Sequence, residues 1–363
     1  MDIKNVLVSM SGGIDSSIAA VLLQERGFIV KGITFQTWDY LTAACNEKEK
    51  GCCSLDSIYE AKELAKKLGI EHHIIDLRET FKQSVIVNFI DEYLSGRTPN
   101  PCVDCNSQIK WGEIIKKADE LNCYYIASGH YAKLREENDR FILSKGVDPE
   151  KDQSYFLWNL SQENLKRTLF PIGDYSKKEI REIARKKGFE KLSKKRESQE
   201  ICFIQDDDYR AFLRRQIPDI DSKIGEGDII STKGEYLGKH KGYPFYTIGQ
   251  RKGLDVAVGY PLYVTNINAE ENTVTLGEKT DLEKQKMSIE NINYIKYNSI
   301  PDNTELNVKI RYRNFGTFGK ISSPDKSNRI HVKFNSPISA ITPGQSAVFY
   351  ENDDLVAGGI ISN

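Results

Sequence analysis

The first 130 residues alternate short apolar segments with longer amphipathic ones. The strand candidates, rich in β-branched residues, are 5–10, 28–35, 72–77 and 124–128. The helix candidates, with apolar residues at helical spacing, are 18–23, 58–68, 79–94 and 109–121. Strands that alternate with helices of this length predict a parallel sheet covered on both faces. Ligands bind such a sheet beyond the carboxyl ends of its strands, so a binding site is expected at one rim.

The pattern changes after about residue 205, where helical periodicity gives way to glycines and short alternating segments. The central segments of this kind are 225–230, 242–248, 260–267 and 273–276. The later strand candidates, which predict a small β-barrel, are 306–312, 318–321, 329–334, 347–350 and 355–361. A chain of 363 residues is expected to form two or three domains. We predict a catalytic α/β domain at 1–205, a small central β-rich domain at 206–283 and a C-terminal β-barrel at 284–363.

Composition indicates a soluble globular protein, because 39% of the residues are hydrophobic and 28% are charged. No apolar run is long enough to span a bilayer, and residues 1–8 lack the pattern of a secretion signal, so we expect a cytoplasmic protein. The net charge of −1 neither favours nor opposes a nucleic-acid partner. Residues 176–196, however, hold ten Lys or Arg and three Glu, a net charge of +7. This basic segment is either a solvated helix surface or a face that follows phosphates.

The most informative stretch is Ser9-Met-Ser-Gly-Gly-Ile-Asp-Ser-Ser17, between the first strand candidate and the first helix candidate. Gly12 and Gly13 let main-chain N–H groups approach a phosphate closely, and the serines add hydroxyl donors. The spacing is neither that of a dinucleotide fingerprint nor that of a Gly-Lys-Ser/Thr loop. It resembles the pyrophosphate loop of the ATP pyrophosphatase families. The alternative is a Ser-Gly turn with a Ser or Asp helix cap, which accounts for one turn and one hydroxyl only.

Seven cysteines lie in the first 202 residues: Cys45, Cys52, Cys53, Cys102, Cys105, Cys123 and Cys202. An odd number without a secretion signal argues against a structural disulfide framework and favours reactive or metal-binding thiols. Cys123 approaches an apolar strand and is interpreted as a small buried residue. The adjacent pair Cys52-Cys53 is interpreted as part of a loop or as a redox-sensitive pair.

Five further motifs occur in order along nearly the full length: Arg97-Thr-Pro-Asn-Pro-Cys-Val-Asp-Cys-Asn106, Ala127-Ser-Gly-His-Tyr-Ala132, Lys151-Asp-Gln-Ser-Tyr-Phe-Leu157, Glu197-Ser-Gln-Glu-Ile-Cys-Phe203 and Ile248-Gly-Gln-Arg-Lys-Gly-Leu254. Together they resemble the tRNA-specific 2-thiouridylases. That family replaces the 2-oxygen of the wobble uridine with sulfur. The resemblance implies an ATP pyrophosphatase-type nucleotide-binding domain, a small central domain and a C-terminal β-barrel.

The resemblance also implies a mechanism. A uracil oxygen is a poor leaving group, so ATP would first convert it to an adenylate, with Asp15 and the loop serines holding magnesium-bound phosphates. Cys202 matches the persulfide carrier. Cys105, just before a helix cap expected at Asn106-Ser107, matches the cysteine that attacks or resolves the persulfide. Cys102 stands where many members carry an acid/base Asp, and a thiol cannot simply take over that role.

By the same resemblance, three groups of residues bind ligands. The ATP-binding positions are Ser9, Met10, Ser11, Gly12, Gly13, Ile14, Asp15, Ser16, Phe35 and Gly129. The positions that line the flipped target base are Asn100, Pro101 and Cys102. The tRNA-binding positions are His130, Lys151, Asp152, Gln153, Arg311, Tyr312 and Gln345. With these motifs in view, the basic segment is interpreted as facing tRNA.

Three alternatives remain open at this point. Cys102, Cys105 and Cys202 could instead ligate an iron–sulfur cluster, as in some other tRNA thiolases. The chain could be another adenylating synthetase, for which no glutaminase-like region is found, or a tRNA-binding protein without activity. Pyrophosphate release that depends on tRNA distinguishes these classes. We expect a cysteine desulfurase or sulfur-relay protein as sulfur donor, and a monomer.

Overall fold

The computed structural model describes residues 2–38, 55–195, 201–204 and 208–362. These residues form two compact units. The sheet unit comprises the described residues within 1–86, 102–205 and 353–355. The barrel unit comprises those within 87–101, 206–352 and 356–363. In the parts of the chain that the structure describes, no helix is long and apolar enough to cross a membrane.

A five-stranded parallel sheet forms the centre of the sheet unit. Its strands, in spatial order, are Glu71–Asp76, Ile29–Gln36, Asp2–Ser9, Cys123–Ala127 and Thr168–Leu169. Val6 pairs with Val30 on one side and with Tyr125 on the other. Val6, Leu7 and Val8 are fully buried, as expected for a strand covered on both faces. The predicted α/β fold is confirmed.

Helices occur at the four predicted positions, and further helical segments that were not predicted also occur. The helical segments that lie in the sheet unit or enter it are Ile14–Glu25, Leu55–Leu68, Arg78–Phe81, the π-helical Lys82–Ile86, Pro101–Asp104, the π-helical Cys105–Lys110, Trp111–Glu120, Ser154–Leu157, Gln162–Lys166, Lys177–Lys186 and Glu190–Ser193. The predicted helix 79–94 continues from the π-helical stretch into Val87–Leu94 of the barrel unit. Leu55–Leu68 ends before Gly69, whose φ of 64° suits a helix terminus.

An antiparallel hairpin, Ala132–Glu137 with Arg140–Lys145, was not among the predicted elements. Asn138 and Asp139 join its strands with φ of 51° and 58°, the left-handed conformation of a two-residue turn. The Asn-Asp pair between two alternating segments is the signal that could have found it.

The barrel unit contains a four-stranded sheet, ordered Tyr263–Asn268, Thr273–Gly277, Gly227–Ser231 and Tyr236–His240. Two helices, Tyr209–Gln216 and Ile220–Ile224, precede it, so the prediction that helical structure ends near 205 is wrong. The apolar positions of the first of these helices, Phe212 and Leu213, are too few to produce a clear helical period. The predicted segment 242–248 is not a strand but contains the short helical turn Tyr243–Phe245.

The predicted β-barrel is confirmed in the same unit. Its strands, in spatial order, are Glu283–Tyr294, Ile330–Ser339, Thr317–Ile321, Thr304–Lys309, Ser346–Glu351 and Asp354–Ile361. Pairing between the first and last of these closes the barrel. Along Ile330–Phe334 buried and exposed residues alternate, because successive strand side chains point to opposite faces. The first barrel strand, Glu283–Tyr294, was missed because several of its outward positions are charged or polar.

Candidate functional site

The loop after the first strand has a defined internal structure. Gly12 adopts φ of 66°, and the helix Ile14–Glu25 begins after Gly13, which makes no side-chain capping bond. Ser16 Oγ accepts the Ser11 N–H at 3.1 Å, and Ser17 Oγ donates to the Gly13 carbonyl at 2.7 Å. The capping alternative is therefore wrong, because the serines support the loop while no side chain caps the helix. The first helical N–H groups need a partner from outside the helix.

Two glycines of the predicted ATP site lie against backbone. A Cβ on Gly12 would lie 2.3 Å from the Ser57 carbonyl oxygen, and one on Gly129 would lie 2.5 Å from the Ser16 nitrogen. Gly129 follows the strand Cys123–Ala127, which pairs with the first strand. The predicted approach of these two segments at the rim of the sheet is thus observed. It occurs where connections leave neighbouring strands in different directions, which is where open α/β sheets bind ligands.

Two further residues of the predicted ATP site, Met10 and Phe35, lie at the ends of neighbouring strands. Met10 is buried, its N–H donates to the Ile33 carbonyl at 2.7 Å, and its carbonyl accepts the Thr34 hydroxyl at 2.7 Å. Met10 therefore fixes the end of the first strand to its neighbour. Phe35 is 7% exposed near the end of that neighbouring strand.

Asp15 is held by two residues that sequence reasoning did not connect with it. Lys177 Nζ donates to both carboxylate oxygens of Asp15 at 2.8 Å, and the Tyr131 hydroxyl donates to Oδ1 at 2.7 Å. The Lys177 side chain is 9% exposed, whereas that of Asp15 is 30% exposed. Lys177 is the first residue of the helix Lys177–Lys186, whose Ser176 and Glu179 form a capping box. The carboxylate therefore has a fixed position beside the phosphate loop.

The basic segment contributes a second lysine to the same loop. Lys195 Nζ donates to the Gly12 carbonyl at 3.1 Å and pairs with Glu60. Arg181 donates to the Ser193 carbonyl, and Lys187 pairs with Glu25. At least four of the cations counted in 176–196 thus bind the sheet unit's own groups, two of them at the phosphate loop. For the remaining cations of this segment, the interpretation as a tRNA-facing surface stays a prediction.

Cys102 and Cys105 lie on a helix that begins earlier than predicted. Pro101 occupies its first turn, where a missing N–H costs nothing, and Cys105 opens the π-helical stretch Cys105–Lys110. The predicted cap at Asn106-Ser107 is wrong. Ser107 Oγ donates back to the Val103 carbonyl at 3.1 Å, and the buried Asn106 donates to the Phe156 carbonyl at 3.0 Å. Single π turns within helices are frequent at functional sites.

Cys202 lies in the short described segment 201–204. Its neighbour Phe203 is buried and packs against Phe81 and Trp38, with ring centroids 5.7 Å and 6.3 Å apart. This packing anchors the backbone next to Cys202. Cys102, Cys105 and Cys202 are half-buried, and none of them forms a disulfide.

The buried Cys123 behaves as predicted. It is fully buried, and burial raises the pKa of its thiol. Cys45, Cys52 and Cys53 lie outside the described residues, as do residues 197–200 of the motif that contains Cys202.

The predicted tRNA-binding residues of the sheet unit have internal partners. The buried Asp152 accepts the Gly146 and Ser154 N–H groups, and Gln153 Oε1 accepts the Tyr131 N–H at 3.0 Å. Burial beside aromatic rings lowers the pKa of His130 well below its usual value, so its ring is neutral near pH 7. Lys151 is half-buried in the turn before them.

The barrel unit holds the remaining predicted residues. Gln345 Nε2 donates to the carbonyls of Thr98 and Pro99 at 3.0 and 2.8 Å, and so supports the segment just before Asn100 and Pro101. Arg311 donates to the Ser339 and Ala340 carbonyls at 3.1 and 2.6 Å. Tyr312 is half-exposed beside Lys309, whose Nζ lies 6.0 Å from its ring centroid.

Comparison with known proteins covers almost the entire chain. Three family models match: a tRNA methyl transferase HUP domain at residues 4–206, a tRNA methyl transferase PRC-barrel domain at 210–278, and an aminomethyltransferase beta-barrel domain at 284–361. A structure of a 4-thiouridine synthetase bound to RNA and ATP gives a TM-score of 0.35 at 17% identity, covering 59% of this chain and 50% of that one. A likeness at this level identifies no activity.

Full-length relatives are more informative. The chain is 50% identical to a tRNA-specific 2-thiouridylase of Amoebophilus asiaticus, over 98% of this chain and 94% of the relative. Identity to the 2-thiouridylase of Cytophaga hutchinsonii is 48%, over 99% and 97% of the two chains. The family models are named for methyl transfer, whereas these relatives are named for thiolation. The matches to the relatives extend over at least 94% of each chain. The chain therefore belongs to the family of tRNA-specific 2-thiouridylases.

Proposed function

We propose that this protein uses ATP to replace the 2-oxygen of the wobble uridine of tRNA with sulfur. The observation that carries the proposal is that one compact unit holds both a preformed phosphate loop and the half-buried Cys105 and Cys202. Activation and sulfur transfer are the two chemical tasks of such an enzyme. Family models matched at 4–206, 210–278 and 284–361 support a division into domains at 1–205, 206–283 and 284–363.

The phosphate loop suits the activation step. Adenylation of the uracil 2-oxygen forms a phosphorus–oxygen bond to AMP and releases pyrophosphate, so negative charge develops on the leaving phosphates. N–H groups at the start of Ile14–Glu25, together with Ser9 to Ser16, would hold these phosphates. Gly12 and Gly129 allow the loop to pack closely against the backbone of Ser57 and Ser16. Gly13 adds no side chain that would compete with the phosphates. Phe35 would pack against the adenine.

Magnesium is proposed to accompany the ATP phosphates, which supply oxygen ligands. Asp15 is the only acid in the loop 9–17, and both of its oxygens already accept hydrogen bonds from Lys177. We therefore assign no step to the ion. Asp15 instead orients the loop through Lys177 and Tyr131.

The two cysteines would carry out the sulfur transfer. A cysteine desulfurase or relay protein would load Cys202 with a terminal sulfur, forming a persulfide. That sulfur attacks C2 of the activated uracil, and AMP leaves with the former 2-oxygen. The Cys105 thiolate then attacks the Cys202 sulfur, which releases the 2-thiouridine and leaves a Cys105–Cys202 disulfide. A thiol reductant restores both cysteines.

We favour the persulfide over an iron–sulfur cluster. Among the described residues, which include all three cysteines concerned, no group of His, Cys, Asp or Glu is arranged as a set of three metal ligands. Cys102 stands next to Asn100 and Pro101, with which it would line the flipped base. Asp104, on the same short helix, is the acid nearest to it in sequence.

The remaining contacts are proposed for the rest of the tRNA. The residues are His130, Lys151, Asp152, Gln153, Arg311, Tyr312 and Gln345. The side chains of Asp152, Gln153, Arg311 and Gln345 are bound to the protein's own backbone, so we assign them the task of fixing the surrounding backbone where it meets RNA. We propose that the protein acts as a monomer.

The proposal is tested by thiolation of unmodified tRNA with ATP, magnesium, a desulfurase and cysteine, in air and under anaerobic conditions. Pyrophosphate release should require tRNA. Cys105→Ala and Cys202→Ala should abolish thiolation, whereas Cys123→Ala, a control that removes a buried thiol elsewhere, should retain it. Loss of thiolation in Cys102→Ala as well, with activity only in the absence of oxygen, would instead support the cluster. Pyrophosphate release without tRNA dependence would contradict the proposed substrate.

A further inference from the structure

The outer face of the barrel carries lysines directly opposite one another on adjacent strands. Lys333 pairs across the sheet with Lys286 on one side and with Lys320 on the other. All three side chains are exposed. Neighbouring strands are about 4.8 Å apart, so the backbones that carry the three lysines lie within roughly 10 Å. We call Lys286, Lys333 and Lys320 the lysine row.

The positive charge of this row is only partly offset by the acidic groups that the structure describes. Among the described residues, none of the three lysines forms an ion pair within 4.0 Å. Glu305 lies directly opposite Lys320 on the next strand, and its Oε1 accepts the Asn335 amide at 2.8 Å. Three lysines and this one carboxylate leave a net charge of +2. Asp325 lies 3.2 Å from His331 Nε2 and also accepts the Ser327 and Arg329 N–H groups. Like charges directly opposite on one sheet face are destabilising, so the barrel alone gains nothing from this arrangement.

Exposed aromatic side chains lie beside the lysine row. Phe318 is 54% exposed and points to the same face as Lys320, two residues along the strand. Phe315, in the loop before that strand, is 99% exposed. The same loop includes the exposed Arg313. Lysines that reach phosphates together with aromatic rings that stack on bases are the combination that binds single-stranded RNA.

We propose that the lysine row, with Phe315 and Phe318, binds the tRNA substrate. The lysines contact backbone phosphates, and Phe315 stacks on an unpaired base. This inference rests on the proposed function, because it takes tRNA as the occupant. An RNA fits better than an acidic protein, since a fully exposed phenylalanine beside a row with excess positive charge matches a polyanion that also offers flat bases.

The lysine row is tested with a triple variant of the full chain, K286Q/K320Q/K333Q. Its control is K62Q/K66Q/K67Q, which removes the same charge from exposed positions of the helix Leu55–Leu68. Dissociation constants for unmodified tRNA are measured by fluorescence anisotropy over a range of salt concentrations. The row variant should bind on the order of tenfold more weakly at low salt. Its salt slope should fall by about 2 to 3, because one lysine–phosphate contact contributes about 1.

The Phe315→Ala variant tests stacking separately. Its affinity for tRNA should fall about tenfold, and its salt slope should stay unchanged. Phe315→Tyr, which keeps the ring, should restore affinity. Tyr59→Ala, at a position 65% exposed on the helix Leu55–Leu68, is the control and should bind as the wild type does. Thermal melts accompany each variant, and removal of the lysine charges should not lower the melting temperature.

The results distinguish the proposed function from the proposal that the lysine row binds tRNA. If the wild-type protein neither binds nor thiolates tRNA, the proposed function fails. If it does both, and the row variant matches its control in affinity and slope, the proposal for this face alone is overturned. The proposal is also overturned if the row variant keeps its tRNA affinity but loses sulfur transfer from a donor protein, because the face then docks that protein.

Discussion

The phosphate loop and the outer face of the barrel arrange charge in opposite ways. At the loop, Asp15 is held by the buried Lys177 and by Tyr131, and Lys195 is held by Glu60 and by a loop carbonyl. On the barrel, the lysine row is exposed, and its three charges face a single carboxylate, Glu305. A site for a small nucleotide must keep its donors in place before the ligand arrives. A surface for RNA instead keeps an excess of positive charge until the polyanion neutralises it.

The largest effect on stability and activity should come from adding a methyl group at Gly129, beside the phosphate loop. A Cβ there would lie 2.5 Å from the Ser16 nitrogen, so Gly129→Ala must displace the loop backbone. We expect the free energy of unfolding to fall by about 2–3 kcal/mol. Pyrophosphate release should fall on the order of a hundredfold, because misplacement by about 1 Å has that consequence. Urea denaturation and a pyrophosphate assay measure the two effects.

Gly112→Ala is the matched control. Its Cβ would have no neighbour closer than 3.7 Å, and it lies in the helix Trp111–Glu120. It should stabilise the protein by about 0.5–1 kcal/mol, as alanine does in a helix. Unchanged activity in Gly129→Ala would show that the loop is not prearranged by this packing.

The next effect should come from removing the buried cation. Lys177→Met leaves the Asp15 carboxylate without its ion pair, which should cost about 2 kcal/mol of unfolding free energy, less than for a fully buried pair because Asp15 is partly exposed. The KM for ATP should rise on the order of tenfold. Lys178→Met, at the adjacent exposed position, should leave both quantities unchanged. Equal effects of the two variants would contradict a positioning role for Lys177.

A smaller effect is expected from Tyr131→Phe, which removes one of the three hydrogen bonds described at Asp15. The loss should be about 1 kcal/mol. Because Tyr131 and Lys177 share one carboxylate, the double variant should differ from the sum of the single ones by at least about 0.5 kcal/mol. A double-mutant cycle in urea measures this coupling, and strict additivity would argue against a shared network.

The smallest expected effect is a gain in stability, whereas the variants at the phosphate loop lose stability. Lys333→Gln removes the central charge of the lysine row, so it should stabilise the protein by about 0.2–1 kcal/mol at low salt. The gain should vanish near 1 M salt, where exposed charges are screened. Lys326→Gln, in the exposed loop between barrel strands, is the control. A loss of stability in Lys333→Gln would mean that the row is compensated after all.

Sequence reasoning predicted the fold class, and the structure confirms it. It also predicted the family from motifs in the correct order, which the relatives confirm. It failed where the local signal was weak or misleading. The helix through Cys102 and Cys105 begins at Pro101, because a proline breaks a helix internally but fits its first turn. The hairpin 132–145 and the helices 209–216 and 220–224 were too short to stand out by periodicity.

The roles of the polar residues were decided by packing. Lys177 was one of ten cations in a basic segment, and its sequence position gave no sign that it would be buried against Asp15, 162 residues away. The lysine row likewise requires the register of three strands, which joins residues 286, 333 and 320. The roles assigned to Cys105, Cys202 and the tRNA-binding residues stay predictions.

The amino-acid sequence by itself determined the alternation of strands and helices, the glycine and serine content of the phosphate loop, and membership of the family. These follow from neighbours along the chain, whose spacing sets helical or strand periodicity. Only the tertiary structure decided which charges are paired and buried and which remain exposed. The physical reason is that a charge is stabilised by the groups within a few ångströms of it, and folding brings those groups from distant positions in the chain.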